Sequence, residues 1–421
     1  MVSAVAEILA PISEARQTEI GPLPSDWQVW PLGKLLVQAP SYGINAPAVP
    51  YDLRYPAYIR ITDITDDGRF NPDGRASVAH PNAQAYHLED GDIVLARTGA
   101  STGKSYRYRT EDGVLAFAGF LIRIRPDKGK LLTLYLSYQL QSAAYWNWVK
   151  TNSMRSGQPG INGKQYAAFL LSVPPTIIEQ GAIATALSDA DGLIEALESL
   201  IAKKRAVKQG AMQELLSGRT RLPGFSGEWQ DKVIGEVASI DPENLGAQTP
   251  HDYAFNYIAL EDVNVGSLVG YSERVFQTAP SRARRKLHFD DILVATVRPN
   301  LKSHLLFRSE HGEWICSTGF SVVRCCPGKA TPGFIFAHLF GEIIARQIDA
   351  LISGSNYPAI NSRDVAALRV PIPPVNEQIA IAAALSDMDD ELAALETRLA
   401  KARAIKQGMM QELLTGRVRL V

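Results

Sequence analysis

The most informative feature of this chain is a 44-residue segment that occurs twice. It reads EQGAIATALSDADGLIEALESLIAKKRAVKQGAMQELLSGRTRL from Glu179 to Leu222 and EQIAIAAALSDMDDELAALETRLAKARAIKQGMMQELLTGRVRL from Glu377 to Leu420. The copies are offset by 198 residues without a gap, and 29 of the 44 aligned positions are identical. Internal repeats of this kind determine the architecture of a chain. We therefore divide this chain into two half-molecules, each with a variable domain followed by a nearly identical helical segment.

Weaker matches extend the repeat upstream into the variable domains. GDIVLART from Gly91 aligns with DDILVATV from Asp290, and SGQPGIN from Ser156 aligns with SGSNYPAIN from Ser353. The two variable domains are therefore diverged versions of one module. The chain therefore carries two different forms of this module, each followed by a nearly identical helical segment.

The nearly identical segments carry apolar residues at steps of three and four, the pattern of helices that pair as a coiled coil. The predicted helix-pairing residues are Leu197, Ile201, Val207, Leu215, Leu395, Leu399, Ile405 and Leu413. Alternatively, each stripe packs on its own globular domain. We prefer mutual pairing, because two similar amphipathic helices in one chain can bury their stripes against each other. Antiparallel pairing would place one variable domain at each end, with pseudo-two-fold symmetry.

Composition excludes several classes of protein. The 421 residues include 46% hydrophobic residues and carry a net charge of −1, values that argue against a disordered chain and a uniformly basic binder. No apolar run reaches the ~18 residues of a membrane span, and the first 20 residues do not resemble a secretory signal. Three cysteines cannot build a disulfide framework, so we expect a reducing, cytoplasmic location.

Both variable domains are predicted to mix strands and helices. Strands are expected at 58–64, 92–98, 115–124, 257–260, 291–297 and 319–324, and helices at 132–149 and 334–352. The predicted fold class is therefore α/β (α+β): two mixed globular domains separated by two long antiparallel coiled-coil helices.

Basic residues cluster near the predicted strand ends of both variable domains. They include Arg97, Lys104 and Arg107 in the first domain and Arg284, Arg285, Arg298 and Lys302 in the second. Residues 281–302 contain six basic and two acidic residues, a local charge of +4 in a chain of net charge −1. A charge run alone is usually a solvated face. Two clusters at matching places in a repeat favour phosphate neutralisation on DNA.

Polar loops recur beside these clusters in both halves. Further predicted DNA contacts in and around them are Thr98, Ser156, Gln158, Lys164, Asn300, Ser355, Asn356 and Tyr357. Short polar side chains on glycine-rich loops can approach a phosphate or a base edge closely. The alternative is that these loops only turn the chain.

Signatures of catalysis are missing from the sequence. The segment GASTGKS, Gly99–Ser105, has three residues between its glycines where a P-loop needs four, and the residues after it predict a strand. The histidines show no metal-ligand spacing, and no Gly-x-Ser-x-Gly elbow occurs. These residues therefore predict no catalytic motif and no metal site, and DNA recognition is the favoured interpretation of the basic clusters and loops. A protein-interaction scaffold with two variable binding domains is the alternative.

The chain resembles the specificity subunit of type I restriction–modification systems over essentially its full length. The resemblance rests on GDIVLARTG (Gly91–Gly99), the Ser-Gly…Ile-Asn loop, and the run from Pro-Pro through Glu-Gln to KQG.MQELL.G..RL, in this order and twice. By this resemblance the chain comprises an N-terminal segment at 1–20, target-recognition domains at 21–175 and 223–374, and conserved helical spacer regions at 176–222 and 375–421. The second half departs from the pattern at Asp290 and at Val297–Pro299.

The resemblance implies partners that the residues alone do not. Members of the family read a bipartite double-stranded DNA site, one half-site per recognition domain. They recruit two modification (methyltransferase) subunits that use S-adenosylmethionine. Restriction (translocase and endonuclease) subunits then use ATP and Mg. The family has no catalysis of its own, so the resemblance implies a non-catalytic subunit without a bound cofactor. No membrane partner is expected.

Overall fold

The computed structural model describes residues 9–11, 15–154, 158–352 and 358–420. The chain divides into two compact units. Unit 1 comprises Met1–Leu197 with Arg398–Val421, and unit 2 comprises Glu198–Thr397. Each unit therefore contains parts of both helical segments. The finer boundaries expected at 1–20, 21–175, 176–222, 223–374 and 375–421 remain predictions.

Most strands are short. Those of the first half are β1 (Leu9–Pro11), β2 (Ala15–Thr18), β3 (Gly21–Pro24), β4 (Gln28–Pro31), β5 (Ser41–Tyr42), β6 (Val49–Pro50), β7 (Ala57–Ile59), β8 (Ala76–Ser77), β9 (Ile93–Ala96), β10 (Ser105–Arg107), β11 (Leu115–Phe117), β12 (Leu121–Ile124) and β13 (Leu170–Val173). Those that follow are β14 (Gln230–Val233), β15 (Ala238–Ile240), β16 (Ala254–Ile258), β17 (Val263–Asn264), β18 (Ser267–Leu268), β19 (Ser272–Val275), β20 (Ala283–Leu287), β21 (Ile292–Ala295), β22 (Leu305–Leu306), β23 (Trp314–Ser317), β24 (Phe320–Cys325), β25 (Arg369–Ile372) and β26 (Val418–Leu420).

Two helices are much longer than the others. In chain order the helices are α1 (Thr133–Gln139), α2 (Ala143–Asn152), α3 (Gly163–Ala168), α4 (Ile177–Leu216), α5 (Ile234–Val237), α6 (Pro332–Phe340), α7 (Glu342–Ile352), α8 (Ser362–Ala367) and α9 (Val375–Leu413). The long helices α4 and α9 contain 40 and 39 residues.

Unit 1 is built on two four-stranded sheets. One has the order β10-β9-β12-β5, and all its paired strands are antiparallel. The other has the order β11-β7-β8-β6, with β11 and β7 parallel. All four residues of β9 are buried, as expected for a short, continuous apolar run in the middle of a sheet.

Unit 2 repeats this design. One sheet has the order β15-β24-β21-β22, and the other has the order β19-β16-β23-β20, with β16 and β23 parallel. All four residues of β21 are buried, like those of β9. The predicted mixed α/β class is confirmed.

The long helices run antiparallel where they meet within each unit. In unit 1, Lys406 Nζ lies 2.6 Å from Asp191 Oδ1. In unit 2, Lys208 pairs with Asp389, the equivalent residues of the repeat. Lys204, which precedes Lys208, bonds Glu391, which follows Asp389, so the two chain directions are opposite. The predicted antiparallel pairing is confirmed.

The prediction of helix pairing is wrong for two residues. Val207 and Ile405 are 52% and 51% exposed. The other six are buried or half-buried: Leu197, Ile201, Leu215, Leu395, Leu399 and Leu413. Steps of three and four from Ile201 reach Lys204 and Lys208 and bypass Val207, so the helix seam passes through lysines.

A glycine just after each long helix packs against a tryptophan. Gly416, with φ 67°, lies against Trp27 in unit 1, and Gly218, with φ 70°, lies against Trp229 in unit 2. A Cβ atom at Gly416 would lie 3.0 Å from Trp27 Cε2, so glycine is needed there both for φ and for space. The end of each helical segment therefore packs on a tryptophan of the opposite half of the repeat.

Four local predictions need correction. The strand predicted at 58–64 ends at Ile59, and Ile61–Asp63 form a short 3-10 helix. The helix predicted at 132–149 is two helices, α1 and α2, because the Ser142 hydroxyl accepts a bond from the Tyr145 N–H and starts a new helix. The helix predicted at 334–352 is divided at Gly341 into α6 and α7. The strand predicted at 115–124 is β11 and β12, which belong to different sheets.

No helix in the described ranges is long and apolar enough to cross a membrane. Within the same ranges, no group of three or more His, Cys, Asp or Glu residues could hold a metal ion. All three cysteines are free thiols, and Cys316 is fully buried.

Candidate nucleic-acid interface

The structure brings the two predicted loops of unit 1 together. We call residues 97–104, which follow β9, the strand loop, and residues 158–162, which precede α3, the helix-entry loop. The Gly99 N–H donates to the Pro159 carbonyl at 3.0 Å, and the Ile161 N–H donates to the Arg97 carbonyl at 2.9 Å. A β-bridge joins Thr98 to Gly160. The two loops therefore form one surface.

Unit 2 joins its two loops in the same way. Its strand loop comprises residues 296–303, and the described part of its helix-entry loop comprises residues 358–361. The Arg298 N–H donates to the Pro358 carbonyl at 2.8 Å, and the Ile360 N–H donates to the Thr296 carbonyl at 2.9 Å. A β-bridge joins Val297 to Ala359. Each partner lies 199 residues after its equivalent in unit 1.

The Ile-Asn pair of each helix-entry loop has a structural role. The Asn162 side chain accepts from the Gln165 N–H at 2.9 Å, and the Gln165 side chain accepts from the Asn162 N–H at 2.9 Å. This capping box starts α3, and Asn361 forms one with Asp364 at α8. Ile161 is buried beside the cap. The motif therefore fixes the loop in place.

A buried ion pair precedes each strand loop. Arg125 Nε donates to Asp92 Oδ1 at 2.7 Å, and Arg324 Nε donates to Asp291 Oδ1 at 2.8 Å. Both carboxylates are buried and stand next to the start of β9 or β21. The hydrogen bond to Asp92 raises the pKa of Arg125, and the bond to Asp291 raises that of Arg324. These arginines are structural.

The basic residues of the unit 1 strand loop are held by neighbours. The Arg97 guanidinium lies over the Tyr42 ring, 4.9 Å from its centre. Lys104 Nζ lies 2.7 Å from Asp66 Oδ1, whose side chain is almost fully exposed. A surface ion pair of this kind contributes little to stability. The Lys104 amine can therefore exchange Asp66 for another anion at low cost.

Of the remaining described residues predicted in unit 1, Arg107 lies away from this surface, opposite Ile93 at the start of β9, whereas the others lie in or next to the two loops. Thr98 and Arg107 are partly buried, while Gln158 and Lys164 are exposed. The Thr98 hydroxyl lies 3.5 Å from the Pro159 carbonyl. Ser156 lies outside the described residues.

In unit 2, the strand loop presents exposed polar side chains. Arg298 and Asn300 are exposed, and Lys302 Nζ donates to the Phe340 carbonyl at 3.2 Å. Arg284, on β20, lies over the Phe276 ring at 4.9 Å. Ser355, Asn356 and Tyr357 lie outside the described residues.

Arg285 was predicted as a DNA contact, but its position favours an internal role. Its guanidinium pairs with Asp241 at 2.9 Å and donates to Asn244 at 3.2 Å. Removing it from Asp241 would leave a mostly buried carboxylate without the positive charge of the guanidinium. An internal, stabilising role is therefore favoured for Arg285.

Reasoning from sequence missed Tyr42. Its ring supports Arg97, and its hydroxyl accepts from the Gly163 N–H at 3.1 Å, so it connects the strand loop to the start of α3. Tyr42 lies 55 residues before Arg97 in the chain. Neither the repeat nor the basic clusters mark it.

The P-loop interpretation of Gly99–Ser105 is excluded by geometry. A short 3-10 turn at Gly99–Ser101 leads into β10. A P-loop requires a helix at this point, because the helix N-terminus helps to hold the phosphates.

The chain matches a known protein family. The sequence model described as "Type I restriction modification DNA specificity domain" matches residues 58–204 and 227–403. The putative type I restriction enzyme MjaX specificity subunit of Methanocaldococcus jannaschii is 25% identical over 428 residues, which cover 96% of either chain. The MjaVIII specificity subunit of the same organism is 22% identical over 433 residues and 94% of either chain.

Solved structures show the same fold. The S subunit of a type I restriction–modification system from M. genitalium superimposes with a TM-score of 0.57 at 16% identity, over 92% of this chain and 96% of that chain. A chain from a structure on complex assembly and conformational transition of the type I R-M system gives 0.55 at 16% identity, over 94% and 99%. The match to the family model and the two similar specificity subunits do not favour the protein-interaction scaffold.

Proposed function

The chain belongs to the type I restriction–modification DNA specificity family, and we propose that each of its units reads one half of a bipartite double-stranded DNA site. In this proposal the joined strand and helix-entry loops are the reading surfaces. The long helices set the spacing between the half-sites.

The repeated loop pairing carries this proposal. Both units join the same two loops through equivalent backbone bonds, yet they present different exposed side chains, such as Gln158 in unit 1 and Arg298 in unit 2. A fixed backbone with variable side chains suits a surface that reads different base sequences. Direct reading takes place through side chains that reach base edges.

Contacts to phosphate would add affinity without sequence preference. Exposed Lys164 and the exchangeable Lys104 are the candidates in unit 1. Each neutralised phosphate releases counterions, so the affinity should fall steeply as the salt concentration rises.

The chemistry would belong to partner subunits. We assign this chain no catalytic residue and no bound cofactor. Modification subunits would bring S-adenosylmethionine, and restriction subunits would use ATP and Mg. The conserved helical regions are the proposed dock for two modification subunits. Because its partner is cellular DNA and its cysteines are free thiols, we place the complex in the cytoplasm.

The test is to express this chain with the modification subunit of its own system and to sequence the methylated DNA of the host. We expect one motif with two specified parts and an unspecified spacer. Methylation without this chain, or a motif with one continuous part, would refute the proposal.

A further inference from the structure

Three positions near the strand loops share an unusual backbone in both units. In unit 1 they are glycines with left-handed φ: Gly91 at 94°, Gly99 at 75° and Gly103 at 95°. The equivalent residues of unit 2, each 199 positions later, are also left-handed. They are Asp290 at 70°, Arg298 at 49° and Lys302 at 55°.

Left-handed backbone strains any residue that carries a Cβ atom, whereas glycine adopts it freely. The first half of the chain shows that glycine fits at all three positions. Unit 2 therefore has three residues with a strained backbone at positions where glycine would be unstrained. A strained backbone persists when the side chain compensates for it through a stabilising contact or a function. Each of these three side chains should therefore have such a role.

Two of the three side chains make a stabilising contact inside unit 2. Asp290 forms an ion pair with Arg308. Lys302 Nζ donates to the Phe340 carbonyl at 3.2 Å and so ties the strand loop to the end of α6. Both side chains stabilise the unit that holds them.

The Arg298 side chain makes no such contact in the described ranges 9–11, 15–154, 158–352 and 358–420. Its side chain is exposed, and no hydrogen bond or ion pair joins its guanidinium to these residues. Its backbone, in contrast, is fixed, because its N–H donates to the Pro358 carbonyl at 2.8 Å. Among the described residues, the guanidinium therefore has no partner, while backbone hydrogen bonds hold the loop that carries it.

We propose that Arg298 is a specificity-determining residue of unit 2 and that it reads a guanine in the half-site of that unit. This inference rests on the proposed function. A planar guanidinium donates two parallel bonds to guanine O6 and N7, the commonest specific contact of proteins in the major groove. A rigid backbone favours this contact, because little freedom remains to be lost on binding.

Unit 1 fills the equivalent place differently. A Cβ atom at Gly99 would lie 3.2 Å from Gln158 Nε2, so the glutamine amide occupies the space that a side chain at position 99 would take. The two units therefore present different donors at one point of a shared backbone. This difference is what two unlike half-sites require.

The test compares three variants of the chain in complex with its modification subunit. Arg298→Ala removes the guanidinium and keeps the strain, whereas Arg298→Gly removes both. Asp290→Gly is the matched control, because it relieves similar strain at a residue whose partner is Arg308. The readouts are the methylated motif, the affinity for the cognate duplex at fixed salt, and the melting temperature.

We expect both Arg298 variants to relax one G·C position in one half-site and to leave the other half-site intact. Affinity for the cognate duplex should fall about 10- to 100-fold, as for the loss of one bidentate base contact. Arg298→Gly should melt no lower than the wild type. The Asp290→Gly complex should keep the whole motif.

Other results would overturn the inference. An unchanged motif in both Arg298 variants would remove Arg298 from base reading, and relaxation at an A·T position would refute the guanine assignment. Melting of Arg298→Gly several degrees below the wild type would show that the side chain serves stability. A wild-type complex without a two-part motif would instead refute the proposed function itself.

Discussion

At the residue scale, two buried histidines are expected to make unit 2 sensitive to acid. His338, on α6, is fully buried, and neither of its ring nitrogens has a partner among the described residues. His304 is also buried, and its Nδ1 accepts from the Ala295 N–H at 3.1 Å. Burial lowers the pKa of His338 to about 3 and that of His304 to about 4, from the ordinary value of 6.5.

We predict that the chain loses stability as the pH falls below about 6.5. Between that pH and the lowered pKa, the unfolded state binds protons that the folded state cannot, so the free energy of unfolding decreases. Each histidine contributes a slope of at most about 1.4 kcal/mol per pH unit. His338→Leu should therefore lose less stability between pH 7 and pH 5 than the wild type.

Denaturant unfolding at the two pH values measures this difference. The exposed His251 provides the control, since His251→Leu should follow the wild type at both values. If His338→Leu also follows the wild type, the buried histidines do not cause the acid sensitivity.

At the scale of the element, the long helices show that apolar residues alone do not identify the positions that form a helix seam. The sequence pattern places Val207 and Ile405 in the seam because they are apolar. The helical geometry instead places Lys208 and Lys406 there, each paired with an aspartate of the facing helix. Lysine can occupy such a position because its apolar stem packs while its amine reaches a carboxylate.

We predict that Val207→Ser changes the free energy of unfolding by at most about 0.5 kcal/mol, as for an ordinary surface position. Ile201→Ala, six residues earlier in the buried seam, should lower it by about 2–4 kcal/mol, because it leaves a cavity. Ile405→Ser repeats the test at the equivalent exposed position. Equal losses for Val207→Ser and Ile201→Ala would contradict this seam.

The sequence predicted the elements that depend on local pattern. The paired long helices follow from the repeat, and the bridge between the two loops involves segments that the repeat had already marked. The ion pair of Arg285 with Asp241 and the stack of Arg97 on Tyr42 were not predictable, because the partners lie far apart in the chain. Left-handed φ at Arg298 has no sequence signal except the glycine of the other half.

At the scale of the whole molecule, each unit combines one variable domain with parts of both long helices. In unit 1, Glu179 binds Arg419, and in unit 2 Glu377 binds Arg221. These pairs are equivalent in the repeat, and each joins the start of one helical segment to the end of the other. Both pairs form because each segment has a glutamate at its start and an arginine at its end.

We predict that longer helices lengthen the spacer of the recognised site. One heptad inserted after Leu200 and one after Arg398 keep the seven-residue period of the seam and add about 10.5 Å to each helix. At about 3.4 Å per base pair, the spacer should grow by about three base pairs. A heptad in α4 alone is the control and should abolish assembly. Sequencing of methylated DNA checks the spacer, and an unchanged length would contradict a spacing role.

The central claim is that each variable domain reads one half-site independently of the other. The most direct test replaces residues 223–374 with the corresponding domain of another specificity subunit and sequences the DNA methylated by the resulting complex. We predict that one half of the motif changes while the other half stays the same. A motif that changes in both halves, or in neither, would contradict the claim.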